Sequence, residues 1–328
     1  MFSVGRRWST WAVSVTAVVA TLVAAGCSSG TDDADPGSST LRFGYVGSAT
    51  DYPADEIGWA LHTGLAEEVL GEYGIDSVER TAFGTGPDLN EAVIGGRIDV
   101  TSSGDTPALT ARGTGAPTRL LALPSSSDSI IVARADGPAD ITELEGRKVA
   151  VVKGSTMHRF LVDALDDNGV EVELININST GDSIAALSRG EVDAVATVRY
   201  MEVVNAALTG GQIAQIATAA DYPGLASLRV HTVTEDFVDS HADFPAGWAD
   251  LRARAVEDIT ARPAEYFDWL AELTGSPRTD VESLYPIDTI NAESTDPQWV
   301  DWLTGTKDFL VDQQLIRNDF DIQQWTIA

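Results

Sequence analysis

Short apolar runs alternate along the chain with longer segments in which apolar residues recur every fourth position. The run 41–46 predicts a first β-strand, and the segment of about 54–73 predicts a single helix. Farther along, 148–152 predicts another strand, and 157–168 predicts the helix that follows it. Strands that alternate with helices in this way predict an α/β fold built on parallel sheets.

One sequence pattern occurs twice. Residues 88–100 and 182–194 align without a gap, each as an acidic residue, a short helical stretch, a glycine and an apolar strand. We interpret Asp88 and Asp182 as helix N-caps and the glycines as helix ends. Two copies are too few for a solenoid and predict two similar α/β lobes that face each other. Chance recurrence of a common helix–glycine–strand pattern is the alternative.

Four loops of small and hydroxyl-bearing residues follow predicted strands, at 47–50, 84–86, 102–107 and 153–156. The carboxyl ends of the strands in such lobes face one cleft, where ligands bind. The last loop places Gly-Ser-Thr at a helix start, where free backbone N–H groups and the helix dipole suit an oxyanion. Ordinary N-capping is the alternative for any one loop.

The N-terminus has the order of an export signal. Two arginines precede an apolar run over 11–23, and small residues lead to Cys27. The run is too short to span a bilayer and predicts a cleaved signal over 1–26. Small residues directly before a cysteine resemble the lipobox of bacterial lipoproteins, which implies that Cys27 is acylated and anchors the chain. The polar segment 27–40 reads as a flexible tether.

Composition narrows the partners and cofactors. Cys27 is the only cysteine, so the fold contains no internal disulfide. The net charge of −29 argues against nucleic acid or anionic lipid as a partner. Scattered histidines with no cysteine beside them predict neither a metal site nor a cofactor.

The body from about Leu41 to Trp325 resembles the periplasmic substrate-binding proteins of ABC importers, in the branch that handles sulfonates, taurine, nitrate and thiamine-precursor pyrimidines. The motifs that carry the resemblance are the repeated units, the Gly-Asp-Thr-Pro at 104–107, the stretch 141–156 and the last helix at 309–316.

The resemblance implies the type II periplasmic binding protein fold. Two Rossmann-like lobes are joined by a two-segment hinge, and the ligand cleft lies between them. The first lobe is expected to comprise 41–126 plus 232–328, and the second 127–231. The chain would cross between them near 125–129 and 227–232, and the lobes would close on the ligand like a hinged trap.

Carrying the family's positions over gives a set of expected ligand-binding residues, which are Ser48, Thr50, Thr85, Asp105, Thr106, Ser155, Thr156, His158 and Arg199. Arg199 could be the counter-charge of an anionic headgroup, with an exposed rim residue as the alternative. Asp51 and Asp105 would instead suit an amine, as in taurine. Their alternative roles are a helix cap and the orientation of a loop.

The resemblance therefore implies an extracytoplasmic solute-binding subunit of an ABC importer, monomeric and lipid-anchored at the cell membrane. Its partners would be a membrane permease and a small anionic ligand, an aliphatic sulfonate or taurine being favoured. The alternatives are an enzyme on the same scaffold or a ligand-sensing lipoprotein without a transport role. A desulfinase needs a nucleophilic thiol in its pocket, and Cys27 precedes the domain, so we expect no enzyme activity.

Overall fold

The structure is a computed structural model that describes residues 39–47, 51–222, 224–293 and 295–327. The expected signal, the lipidation site Cys27, nearly all of the tether, and the candidate ligand residues Ser48 and Thr50 lie outside these ranges. No helix in the described ranges is both long enough and apolar enough to cross a membrane.

Strands and helices alternate as the apolar pattern predicts. The strands are β1 Thr40–Val46, β2 Ser77–Phe83, β3 Val100–Gly104, β4 Thr118–Ala122, β5 Ser126–Ser127, β6 Ser129–Arg134, β7 Lys148–Val151, β8 Glu173–Asn176, β9 Ala194–Val198, β10 Ile213–Thr218 and β11 Ser227–Thr234. The α-helices are α1 Glu56–Thr63, α2 Leu65–Gly71, α3 Gly86–Ile94, α4 Asp105–Gly113, α5 Thr156–Asn168, α6 Thr180–Arg189, α7 Glu202–Thr209, α8 Glu235–Ser240, α9 Phe244–Ala261, α10 Pro263–Thr274, α11 Arg278–Leu284, α12 Pro297–Asp312 and α13 Ile322–Trp325.

The strands form two separate sheets. The first has the order β2-β1-β3-β11-β4, with β5 paired to β11, and the second has the order β10-β6-β9-β7-β8. Strand β1 is parallel to β2 and β3, and β7 is parallel to β8 and β9. The sheets are nevertheless mixed, which corrects the expectation of purely parallel sheets. Strands β11 and β6 run antiparallel to their neighbours because each directly continues a segment that crosses between the sheets.

The two crossing segments are hydrogen-bonded to each other. The chain leaves β4, passes through β5 and enters β6, and it returns from β10 into β11. Ser127 pairs with Ser227 in the short β5–β11 ladder, and the Ser129 and Ser227 hydroxyls lie 2.7 Å apart. The expected lobe boundaries stay a prediction; β11, which contains the second of them, lies in the first sheet.

The sequence repeat corresponds to two structurally equivalent units. Asp99 precedes β3 and accepts the backbone N–H of Arg42 at 2.9 Å, while its own N–H donates to the Arg42 carbonyl at 2.8 Å. Asp193 precedes β9 and makes the same two contacts with Lys148, at 3.0 and 2.8 Å. Each aspartate therefore locks the start of its strand to the neighbouring strand, once in each sheet.

The helix caps of the repeat lie three residues before the predicted ones. The caps are Thr85 and Ser179, whose hydroxyls accept the N–H groups of Asp88 and Asp182 at 3.3 and 3.2 Å. The predicted caps, Asp88 and Asp182, are instead acidic residues of the first helical turn, where the helix dipole favours them.

The predicted helix over 54–73 is two helices. Gly64 has φ +81°, a left-handed conformation that ends α1 and starts α2. Glycine adopts this conformation without steric cost, so the chain can break there. The apolar spacing passes across the break unchanged, which is why the sequence pattern read as one helix.

Both sheets are covered by helices on both faces. In the second sheet Ile131 packs against α5 residues such as Phe160, whereas the adjacent Ile130 belongs to the opposite cluster with Ile184 of α6. Alternate residues of one strand point to opposite faces, so each sheet buries both sides. The edges and carboxyl ends of the strands are then the parts that remain to form a site.

Candidate functional site

The Asp105 carboxylate joins the starts of two helices that pack on different sheets. Asp105 opens α4 beneath the first sheet, is fully buried, and accepts hydrogen bonds from both the N–H and the hydroxyl of Thr106. It also accepts a hydrogen bond from the hydroxyl of Thr156, which opens α5 beside the second sheet. The Thr106 and Thr156 hydroxyls are 3.2 Å apart. Three of the expected ligand residues are thus brought together from two lobes.

These three residues form hydrogen bonds with one another, so their polar groups already have partners within the protein. Asp105 takes a fourth hydrogen bond, 3.2 Å long, from the N–H of Leu228 in β11. Burial raises the pKa of Asp105, and the hydrogen bonds from Thr156, Leu228 and Thr106 act in the opposite direction. The threonine that opens α5, part of the predicted oxyanion cradle, therefore already binds an oxyanion, which is the chain's own carboxylate.

Thr85 and Ser155 serve as helix caps in the structure. Thr85 is exposed at the start of α3, and its hydroxyl donates to the Asp88 carboxylate at 2.7 Å. Ser155 caps α5, where its hydroxyl donates to the Val152 carbonyl at 2.7 Å. Both stand at the carboxyl ends of strands, as expected, and their role toward a ligand stays a prediction.

His158 is buried against helix α12. Its Nδ1 accepts the N–H of Gly154 at 3.2 Å, and its ring meets Phe309 of α12 edge to face at 5.3 Å. Burial, followed by the charge of Lys153, lowers the pKa of His158. The neutral ring links α5 to α12, and its predicted contact with a ligand is untested.

Arg199 is exposed, and its guanidinium donates to the Gln215 side-chain oxygen at 2.6 Å. Gln215 lies in β10, at the edge of the second sheet. Arg199 also interacts electrostatically with Asp128. These contacts agree with the alternative of a rim residue.

A second arginine, which the sequence reasoning did not single out, occupies the space between the lobes. Arg229 is in β11, directly after the crossing, and its side chain is 23% exposed. Its Nη1 lies 3.3 Å from the Ser102 hydroxyl and 3.9 Å from the Asp55 carboxylate. A guanidinium has five N–H donors, and among the described residues only Ser102 takes a hydrogen bond from it. The remaining donors suit an oxyanion.

Both carboxylate oxygens of Asp55 accept hydrogen bonds from other residues of the chain. It caps α1, where one carboxylate oxygen accepts the N–H groups of Ile57 and Gly58 at 3.1 and 3.0 Å. The other oxygen accepts the Ser102 hydroxyl at 3.3 Å. Asp55 therefore holds Ser102 and gives Arg229 a counter-charge at 3.9 Å without a direct hydrogen bond.

Two tyrosines approach Arg229 from opposite lobes. Tyr200 follows β9 of the second sheet, Tyr285 follows α11, and both interact electrostatically with the guanidinium. Burial, followed by the proximity of Tyr200, raises the pKa of Tyr285 to about 12, so its hydroxyl stays protonated and can donate. Burial alone would lower the pKa of Arg229, but Asp55 and then Tyr200 outweigh it and the pKa is raised.

A buried ion pair lies at the start of α1, next to Asp55. Glu56 and Arg252 are both fully buried, and Arg252 Nε donates to Glu56 Oε1 at 3.0 Å. Arg252 also donates to the carbonyls of Asn291 and Glu293. The pair neutralises two charges and fixes the start of α1, where Asp55 sits.

The chemistry available around Arg229 is that of a binding site. The guanidinium of Arg229 and the hydroxyl of Tyr285 can donate hydrogen bonds to an anion, and the Tyr200 side chain lies near them from the other lobe, while the Ser102 hydroxyl donates to Asp55 and helps to hold Arg229 in place. Among the described residues, no group of three His, Cys, Asp or Glu side chains is arranged to hold a metal ion.

Comparison with known proteins agrees with this architecture. A family model described as NMT1/THI5 like matches residues 74–266. The chain is 26% identical over 271 residues to the "Putative aliphatic sulfonates-binding protein" of Escherichia coli (strain K12). The alignment covers 79% of this chain and 81% of that protein.

Solved structures share the fold. The periplasmic aliphatic sulphonate binding protein SsuA from Escherichia coli superposes with a TM-score of 0.74 at 22% identity, covering 88% of this chain and 97% of that one. The desulfurization enzyme DSZB superposes with a TM-score of 0.63 at 18% identity, and the match covers 88% of this chain and 96% of the enzyme's chain. The predicted periplasmic binding protein fold is thereby confirmed. At these identities the likeness speaks for the fold, which both binding proteins and an enzyme use.

Proposed function

Because the chain belongs to the NMT1/THI5-like family, we propose that it is the extracytoplasmic solute-binding subunit of an ABC importer and captures a small anion. The observation that carries the proposal is the position of Arg229. Its partly exposed guanidinium stands between two lobes, next to one hydroxyl of the first sheet and two phenols from opposite sides. A cation placed between two lobes can be reached from both, as a trap for an anion requires.

The favoured ligand is an aliphatic sulfonate or taurine. A sulfonate presents three oxygens to the planar fork of a guanidinium, which binds such groups through two parallel hydrogen bonds. The sequence relative named for aliphatic sulfonates supports this class. We further propose that Arg229, rather than the exposed Arg199, provides the counter-charge for the headgroup.

Isothermal titration of the purified protein tests the proposal. We expect heat on addition of ethanesulfonate, butanesulfonate or taurine, and none with butanol or butylammonium, which present the same tail without the anion. Nitrate and a pyrimidine precursor are the competing ligands of the same branch. Heat with neither the sulfonates nor any other anion would contradict the proposed function.

We also propose that the chain is not an enzyme, although a desulfurization enzyme shares its fold. A desulfinase uses a thiolate nucleophile, and the only thiol of this chain is Cys27, ahead of β1. The groups around Arg229 are donors rather than activated nucleophiles. Release of sulfite from an aryl sulfinate would contradict this part of the proposal.

Cys27 is the proposed lipid anchor, and a monomer that delivers its ligand to a membrane permease is the proposed working form. The small residues before Cys27 and the polar stretch after it support the anchor. We expect Cys27→Ala to move the protein from the membrane fraction to the soluble fraction without changing its affinity for ligand, because the site lies beyond the tether. Ser29→Ala is the control and should stay with the membrane. Membrane retention of Cys27→Ala would contradict the anchor.

A further inference from the structure

Asp105 joins three parts of the fold that would otherwise be independent. One carboxylate oxygen accepts from Thr106 at the start of α4 and from Thr156 at the start of α5, so it bridges the two lobes. The other oxygen accepts the N–H of Leu228 at 3.2 Å. Leu228 belongs to β11, just where the chain has crossed back to the first sheet.

Leu228 is the residue before Arg229. Successive N–H groups of a strand point to opposite sides, and here the Leu228 N–H points to Asp105 while the Arg229 N–H donates to the Ser125 carbonyl at 2.9 Å. Ser125 lies in the other crossing segment. The backbone that carries Arg229 is therefore held on one side by the crossing and on the other by Asp105.

We propose that Asp105 is a positioning residue that transmits the contact between the lobes to Arg229. When Thr156 docks, it completes the set of donors around a buried carboxylate, and the same carboxylate holds Leu228 and with it the guanidinium. This inference rests on the proposed function, because it gives the lobe contact a consequence for ligand binding.

The physical basis is the cost of leaving a buried carboxylate short of donors. Asp105 has no exposed surface, so no bulk water can replace the Thr156 hydroxyl while the lobes remain together. Losing that donor leaves the charge poorly satisfied and loosens the carboxylate from its other partners, Leu228 included. The lobe contact and the position of β11 are coupled through this one group.

Two substitutions break the link at different points. Thr156→Val removes the hydroxyl at nearly constant volume, and Thr156→Ser keeps it. Asp105→Asn preserves the shape, but its amide can accept from Thr156 only by turning an NH₂ group toward the Leu228 N–H.

With butanesulfonate as the probe in stopped-flow experiments, we expect Thr156→Val and Asp105→Asn to raise the dissociation rate about tenfold, as loss of a hydrogen bond to a charged group predicts. The association rate should change little, and Thr156→Ser should restore slow dissociation.

Amide hydrogen exchange gives a readout that needs no ligand. We expect the Leu228 N–H to exchange faster in Thr156→Val than in the unmodified protein, although Thr156 lies on the other lobe. Asp105→Asn should speed the exchange as well. Unchanged Leu228 exchange in Thr156→Val would overturn the inference, as would dissociation rates equal to that of the unmodified protein.

The outcomes separate this inference from the proposed function. If no anion binds the unmodified protein, the proposed function fails, and Leu228 exchange still decides whether Asp105 couples the lobes to β11. If butanesulfonate binds and its binding depends on Arg229, but Thr156→Val changes neither its dissociation rate nor the exchange rate of the Leu228 N–H, the proposed function stands and the proposed coupling is wrong.

Discussion

Arg229→Gln is expected to weaken the binding of an alkanesulfonate by roughly a hundredfold, about 2.7 kcal/mol, within the range measured when one partner of a hydrogen-bonded charge pair is removed. The glutamine retains two donors but loses the charge that offsets the desolvation of the sulfonate. Removing Arg229 also leaves Asp55, only 6% exposed, without its nearby counter-charge, so an incoming anion meets a negative group. Isothermal titration with butanesulfonate measures the change.

Two comparisons make the result specific. Arg199→Gln changes the residue that the sequence offered as a counter-charge, with a rim residue as the alternative, and we expect less than a threefold effect because its guanidinium is exposed and bonded to Gln215. Arg189→Gln is the control for a change in net charge, since Arg189 is exposed and paired with Glu191. A hundredfold loss from Arg199→Gln with unchanged binding in Arg229→Gln would restore the sequence-based assignment and contradict ours.

Arg252→Met is expected to lower the free energy of unfolding by about 3–5 kcal/mol, the range seen when one partner of a buried ion pair is removed. The loss has two sources. Glu56 keeps a charge with no exposed surface, and the carbonyls of Asn291 and Glu293 lose their donors. Urea unfolding followed by tryptophan fluorescence measures it. Arg254→Met, two residues along α9, is the matched control, and it should change stability little because Arg254 is partly exposed and its ion pairs with Glu72 and Asp250 lie at the surface.

The loss should depend on pH. Burial raises the pKa of Glu56, and Arg252 lowers it, so removing Arg252 moves the folded-state pKa further above the unfolded one. A carboxyl with a raised folded pKa binds protons more readily when folded, so stability falls as the pH rises between the two values. Arg252→Met should therefore lose less stability at pH 5 than at pH 8. Combining it with Glu56→Gln removes both charges and should recover part of the loss; a double variant as unstable as the single one would contradict the ion-pair explanation.

The sequence predicted the elements whose signals are local. The strand at 41–46 and the helix that follows the 153–156 loop were found because apolar spacing and capping residues act over a few positions. The break at Gly64 was missed because the periodicity continues through it. The caps Thr85 and Ser179 were missed because an aspartate three residues later also suits a helix start.

The site was harder because its residues are brought together by tertiary structure. The Gly-Asp-Thr-Pro motif drew attention to Asp105 and Thr106, yet nothing local shows that Thr156 would satisfy the carboxylate from the other lobe. Arg229 did leave a signal, since it is the only charged residue in the expected crossing at 227–232. That signal gains meaning only when the strand is seen to run between the lobes, beside Ser102.

The ladder between β5 and β11 bears on how the molecule can bend. Two independent linkers would let the lobes twist, slide and rotate about several axes, whereas strands joined by Ser127–Ser227 and Ser126–Leu228 pairing must deform together. A strip of this kind resists shear and yields mainly in one bending direction. If the lobes close on a ligand as proposed, each closure would follow the same arc and bring Tyr200 to the same guanidinium. The pairing of four residues thus couples the two segments that join the lobes into one unit.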